Sequence, residues 1–314
     1  MQVILAQPRG FCAGVTRAID VVEQALQIFG PPVYVLHEIV HNQHVVNDLR
    51  AKGAVFTESL AKIPAGAVTI FSAHGVSDQR VKEARERGLK VIDATCPLVA
   101  KVHVQAQKYE HDGYELIIVG HPGHPEVEGT RGRIRGPVHV ISEPEEVAAL
   151  QVRDPEKVAY VTQTTLSVDD TVRVIAALKQ RFPGIRGPET KDICYATQNR
   201  QNAVRELAKG ADVIVVVGAR NSSNTNRLRE VGEQAGVRSY LVQDANELQR
   251  AWFKPEDRVG VTAGASTPEA LVSAVLAKLG EWGNAEVHKL AGPEEHVKFM
   301  PPPELSASAA KARG

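Results

Sequence analysis

Val213-Ile214-Val215-Val216-Val217 runs directly into Gly218-Ala219-Arg220-Asn221-Ser222-Ser223-Asn224, and a helical pattern follows over Arg227–Ala235. Such a β-branched run has no polar face. It needs helices on both sides, which is the habit of a parallel strand. Ile117-Ile118-Val119 reads the same way. Outward from these, strands are expected at Val33–Leu36, Val68–Ser72, Val91–Asp93, Glu115–Val119, Val138–Ile141, Val158–Val161, Tyr240–Val242 and Val259–Thr262. Met1-Gln2-Val3-Ile4-Leu5-Ala6 reads as a first strand, without the basic start and long apolar stretch of a signal peptide. Helical patterns fall between at Thr16–Ile28, Asp78–Arg87, Leu98–Asp112, Val168–Arg181, Asn199–Lys209 and Pro268–Leu279. This alternation predicts an α/β fold with mostly parallel sheets.

The chain has 314 residues, with 37 Lys+Arg against 37 Asp+Glu. Length alone suggests about two domains. Zero net charge argues against a general nucleic-acid or anionic-membrane binder. No apolar run is long enough for a transmembrane helix. Three cysteines do not make a disulfide framework, so the cytoplasm is the expected compartment. Cys12, Cys96 and Cys194 each follow a short apolar run and precede a helix, 84 and 98 residues apart. Each interval holds about four strand signals, which suggests a repeat. The expected lobes are 1–96, 97–193 and 194–282, with a C-terminal segment over 283–314 whose tail from Pro301 is frayed.

The cysteines read two ways. They are three inert buried thiols, or three thiolates at strand-to-helix junctions, where open α/β sheets place their sites and a helix N-terminus lowers a thiol pKa. No C-x-x-C pair is present, which argues against a zinc ribbon or an ordinary ferredoxin. Three ligands on a four-iron cluster would leave one iron open. Six further loops after strand signals carry His41, His74, His121 to Glu126, Thr162 to Thr165, Asn221 to Asn224 and Ala263 to Thr267. Any one of these is ordinary turn and cap chemistry. Together, neutral donors and helix N-termini suit a diphosphate. Glu126 sits in the densest His/Pro/Gly turn and is either a helix-capping surface residue or a proton donor. His37-Glu38-Ile39-Val40-His41 matches H-E-x-x-H, but that motif works only within a helix, and this stretch follows a strand. Neither a P-loop nor G-x-G-x-x-G is present.

These residues resemble the 4-hydroxy-3-methylbut-2-enyl diphosphate reductase family, which closes the methylerythritol phosphate route to isoprenoids. The resemblance covers residues 1–300 and rests on Pro8 to Val15, His37 to Asn42, Ser72 to Val76, Asp93 to Pro97, Gly120 to Glu126, Thr162 to Ser167, Ile193 to Thr197, Asn221 to Asn224 and Thr262 to Ser266. It implies three pseudo-threefold-related α/β lobes around a central cleft. Cys12, Cys96 and Cys194 would hold a [4Fe-4S] cluster with one open iron, found as [3Fe-4S] after oxidation. His41, His74, Ser222, Ser223, Asn224 and Ser266 would bind the diphosphate. His124 would line the site and assist proton delivery, Glu126 would supply the proton, Thr164 would hold the substrate hydroxyl and Glu126 in one network, and Thr165 would sit beside it. A ferredoxin or flavodoxin-type donor and a monomer would complete the picture, with no nucleic acid and no membrane. The rivals are a non-redox dehydratase, an iron–sulfur oxygen sensor and a structural protein with inert thiols.

Overall fold

The computed structural model describes residues 1–188, 192–283 and 286–305. β1 (Gln2–Leu5) leads through Cys12 into α1 (Ala13–Phe29). Then come β2 (Val33–Leu36), α2 (Gln43–Ala51), β3 (Ala54–Thr57), β4 (Val68–Phe71), α3 (Asp78–Glu86), β5 (Lys90–Asp93) and, past Cys96, α4 (Pro97–His111). The pattern repeats as β6 (Glu115–Val119), α5 (Pro125–Arg131), β7 (Val138–Ile141), β8 (Val158–Thr162), α6 (Val168–Arg181) and, past Cys194, α7 (Tyr195–Ala208). It repeats again as β9 (Val213–Val217), α8 (Ser223–Gln234), β10 (Arg238–Val242), β11 (Arg258–Ala263), α9 (Glu269–Glu281) and β12 (Glu286–Lys289).

Among the described residues the strands form three sheets, in the orders β3-β2-β4-β5, β7-β6-β8 and β10-β9-β11-β1-β12. Every pairing is parallel. A single parallel bridge from Arg186 to Ala159 stands in the fourth place of the second sheet. Counted within each repeat, the spatial order is therefore 2-1-3-4. In the last sheet the fourth place is filled by β1, with Leu5 in register with Val261. β1 thus supplies the fourth strand of the repeat that β9 opens.

This corrects the expected boundaries. Residues 1–96 do not form one lobe, because β1 pairs with β11 rather than with β2 to β5. Parallel neighbours need not be close in sequence, so chain order did not reveal the pairing. The expected segment 283–314 contains β12, which pairs with the other side of β1. Its tail is held as far as Leu305, which is 1% exposed; residues 306–314 of the expected frayed tail lie outside the described residues. The chain divides into two compact units. One comprises Met1–Ala13, His41–Val45 and Tyr195–Lys298, and the other comprises Gly14–Val40, Val46–Cys194 and the chain from Phe299 on.

The Val213–Val217 strand is buried throughout, as its composition demands. Val213, Val215 and Val217 pack with Val3, Leu5 and Val261 against Val272, Val275 and Leu279 of α9. Ile214 and Val216 face the other way, onto Val204 and Leu207 of α7 and Leu228 and Val231 of α8. Each such side chain contributes about 1.5–3 kcal/mol of transfer free energy. That covering on both faces leaves only the strand ends open for chemistry.

Candidate active site

The expected residues occupy loops at the C-terminal ends of particular strands. The loops and helix starts after the first strand of each repeat carry His41, then His124 and Glu126, then Ser222, Ser223 and Asn224. Loops after the third strand carry His74, then Thr164 and Thr165, then Ser266. The fourth strand, or the bridge at Arg186, precedes each cysteine. In a 2-1-3-4 sheet, strands one and three flank the switch point where the connections change direction, and neighbouring loops part there to leave a crevice. The edge strands β3, β7 and β10 carry none of the expected residues.

The cysteines are equivalent in backbone detail. The N–H of Cys12 donates to Ala265 O at 3.2 Å, that of Cys96 to Ala73 O at 3.0 Å and that of Cys194 to Thr164 O at 3.1 Å. Each acceptor lies two residues past the end of the third strand, so every cysteine is tied to the loop that bears Ser266, His74 or Thr165. All three are free thiols, partly exposed. Cys96 is the N-cap of α4 but makes no side-chain capping hydrogen bond, and Pro97 starts the helix. Cys12 and Cys194 immediately precede α1 and α7. Helix N-termini favour thiolates, the form in which cysteine binds iron–sulfur clusters. Among the described residues no group of three His, Cys, Asp or Glu side chains gathers tightly enough for a single metal ion.

Within the second unit, Glu126 is 3% exposed. Its Oε1 accepts from Thr164 N at 2.6 Å and its Oε2 from Thr164 Oγ1 at 3.0 Å. Burial pushes its pKa up to about 7 and the charge of Asp192 adds to the rise, against the two Thr164 bonds. Asp192 is itself pushed up to about 6 by burial, while its Oδ2 accepts from Thr162 N at 2.9 Å. His124 caps α5: its Nδ1 accepts from Glu126 N at 3.2 Å, which places the neutral ring's proton on Nε2. The His124 ring meets His74 edge to face at 6.1 Å, and His74 Nδ1 lies 3.3 Å from Ser72 Oγ. Gly75, at φ +79°, follows; a Cβ there would fall 2.5 Å from His103 Cε1. His103 is buried and its pKa falls to about 4, chiefly through desolvation. A neutral imidazole therefore forms the floor of the His74 loop.

Within the first unit, Ser222 caps α8 by accepting from Thr225 N at 3.3 Å. Ser266 Oγ donates to His41 O at 2.9 Å, and Asn221 Nδ2 lies 3.4 Å from His41 Nδ1. Asn224 is 3% exposed, yet neither its Oδ1 nor its Nδ2 has a hydrogen-bond partner. Leaving a buried amide unpaired costs stability, so both ends of this amide have unused hydrogen-bonding capacity. The H-E-x-x-H stretch is not helical: His37 has φ +63° and α2 begins only at Gln43.

The LytB protein family model matches residues 3–280. The chain belongs to the LytB family. This LytB chain is 57% identical over 308 residues to the 4-hydroxy-3-methylbut-2-enyl diphosphate reductase of Idiomarina loihiensis, covering 97% of this chain and 98% of that protein. It is 55% identical over 313 residues to the enzyme of the same name from Pseudomonas aeruginosa PAO1, covering 98% and 100%. The solved E-1-hydroxy-2-methyl-but-2-enyl-4-diphosphate reductase of Plasmodium falciparum matches LytB here with a TM-score of 0.95 at 36% identity, over 100% of this chain and 99% of that one.

Sequence reasoning missed some of the site. Gln163 spans two loops, its Oε1 accepting from His121 N at 3.0 Å and its Nε2 donating to Thr165 Oγ1 at 2.9 Å. Helices α2 and α5 were also missed; α5 is only seven residues long and starts in a His/Pro/Gly turn. The signal for it was His124-Pro125-Glu126, a cap followed by Pro and an acid in the first turn.

Proposed function

We propose that this LytB chain is a 4-hydroxy-3-methylbut-2-enyl diphosphate reductase, converting (E)-4-hydroxy-3-methylbut-2-enyl diphosphate to isopentenyl diphosphate and dimethylallyl diphosphate. The reaction breaks one C–O bond, forms one C–H bond, consumes two electrons and two protons and releases water. The observation that supports this most directly is Glu126, a buried carboxyl with a pKa of about 7 held by Thr164. Cys12, Cys96 and Cys194 would hold a [4Fe-4S] cluster, which when bound supplies the electrons and an iron without a protein thiolate.

The chain's own residues do the rest. Neutral Glu126 stores a proton at a carboxyl oxygen in a water-poor pocket and delivers it as the hydroxyl leaves. Thr164 Oγ1 orients that carboxyl and hydrogen-bonds the substrate hydroxyl. The Nε2–H of His124 lines the same pocket and assists the proton's delivery. Asn224, Ser222, Ser223, Ser266, His41 and His74 hold the diphosphate, Asn224 through the amide that otherwise lacks partners; Thr165 sits beside the Thr164–Glu126 network. A ferredoxin or flavodoxin-type protein supplies electrons to the monomeric chain, in the cytoplasm. Among the described residues no helix is long and apolar enough to cross a membrane.

Anaerobic turnover with a reduced viologen tests this reading. Both five-carbon diphosphates should form; a fully iron-loaded protein that forms neither would overturn it. Replacing Asn224 with Ala should raise KM roughly 10- to 100-fold, as loss of hydrogen bonds to a charged group does, with kcat little changed. Steady-state kinetics separates the two terms, and an unchanged KM removes Asn224 from the diphosphate site.

A further inference from the structure

We propose that the C-terminal segment 290–300 is a strap that positions the Cys12 loop, acting through Glu295 and Arg200. Arg200, on α7, is 0% exposed. Its Nε and Nη2 donate to Gly10 O at 3.0 and 2.7 Å, and Nη2 also reaches Phe11 O at 3.3 Å. Its Nη1 donates to Ala196 O at 2.9 Å. The guanidinium therefore grips the two carbonyls just before Cys12. Gly10 presents its carbonyl from φ +66°, and a Cβ there would meet Thr267 O at 3.1 Å.

A cation buried this deeply needs a counter-charge. Glu295 supplies it with both oxygens, Oε1 accepting from Nη1 at 3.0 Å and Oε2 from Nη2 at 3.2 Å. Asn199 Nδ2 donates to the same Oε1 at 3.0 Å. The segment is anchored upstream, where Leu290 N donates to Leu5 O at 2.9 Å. In the second unit, Arg17 receives the segment's end: its Nε donates to Met300 O at 2.7 Å, while Nη1 donates to Thr95 O, next to Cys96, at 3.1 Å. The LytB family match ends at residue 280, before the strap.

Arg200 and Glu295 are positioning residues. Arg200 touches the backbone beside Cys12, and Glu295 acts on it only through Arg200. Their role in cluster retention rests on the reading of Cys12 as a cluster ligand; their hold on the loop does not. The test uses full-length chain purified anaerobically, bearing Glu295→Gln, Glu295→Asp or a stop after Lys289. Iron and sulfide are counted per chain, and each cysteine's alkylation rate is followed by peptide mass spectrometry during a chelator challenge. Glu295→Gln should speed alkylation of Cys12 at least about fivefold, with Cys194 changed less than about twofold, and Glu295→Asp should restore most of the protection. The truncation should expose Cys12 and Cys96 together. Equal acceleration at all three cysteines would show a global defect and overturn the proposal, as would an unchanged Cys12. If wild-type protein holds no iron, the cluster reading fails, but the ranking of the cysteines still decides whether the strap exists.

Discussion

Replacing Glu126 with Gln should lower kcat by roughly 10²- to 10⁴-fold, the usual worth of a positioned general acid. KM and iron content should hardly move, because the amide keeps the volume and an acceptor for Thr164 N. The same variant should be more stable than wild type above neutral pH. Glu126 has a pKa near 7 in the folded protein against an ordinary glutamate value of 4.5 in the unfolded chain. The folded state therefore binds more protons between these values, and stability falls as pH rises from about 4.5 through 7. Above that window the buried charge costs up to roughly 3 kcal/mol, a cost the neutral amide does not carry. Wild-type activity should decline on the basic side of neutrality as the acid loses its proton, and the Gln variant should lose that limb. Near-normal turnover in the Gln variant would end the proton assignment. An unchanged thermal stability above pH 8 would show that the carboxyl is not buried in its charged form.

Replacing Cys96 with Ser should abolish nearly all turnover and most bound iron. The fold should survive, and α4 should gain. Cys96 is the N-cap of that helix without a capping hydrogen bond, and Ser is among the best N-cap residues, worth about 1 kcal/mol over a non-capping one. Iron and sulfide quantitation beside a denaturant titration of the metal-free protein separates the two effects. Full iron content in the variant would exclude Cys96 as a ligand. A large loss of stability without any loss of iron would return the thiol to a packing role.

The cysteine spacing suggested a repeat, and the three sheets share one strand order, but it did not show that β1 belongs with β9 to β11. Three strand signals were placed between successive cysteines, β3 and the bridge at Arg186 complete the order 2-1-3-4, and each cysteine N–H meets the same carbonyl position. The place of β1 beside β11 was not legible, since Gln2–Leu5 is an apolar strand that could pair anywhere. The same holds for Arg186, a single bridge with no strand signal around it. Glu126 was marked only by its neighbours in the chain. Its spacing is equally that of a capping residue, and helix α5 does place it in a first turn.

By itself, the sequence of this LytB chain determined the parallel α/β architecture and the loops that carry Cys, His, Ser, Thr and Asn. These follow from hydrophobic period and from residues that strand ends and helix caps require, which are local properties. Only the tertiary structure decided that burial and the charge of Asp192 raise the pKa of Glu126 against its two Thr164 hydrogen bonds, and that Glu295 neutralises Arg200 behind the Cys12 loop. Desolvation and charge pairing depend on which distant segments exclude water from a group, and no pattern within a short window records that.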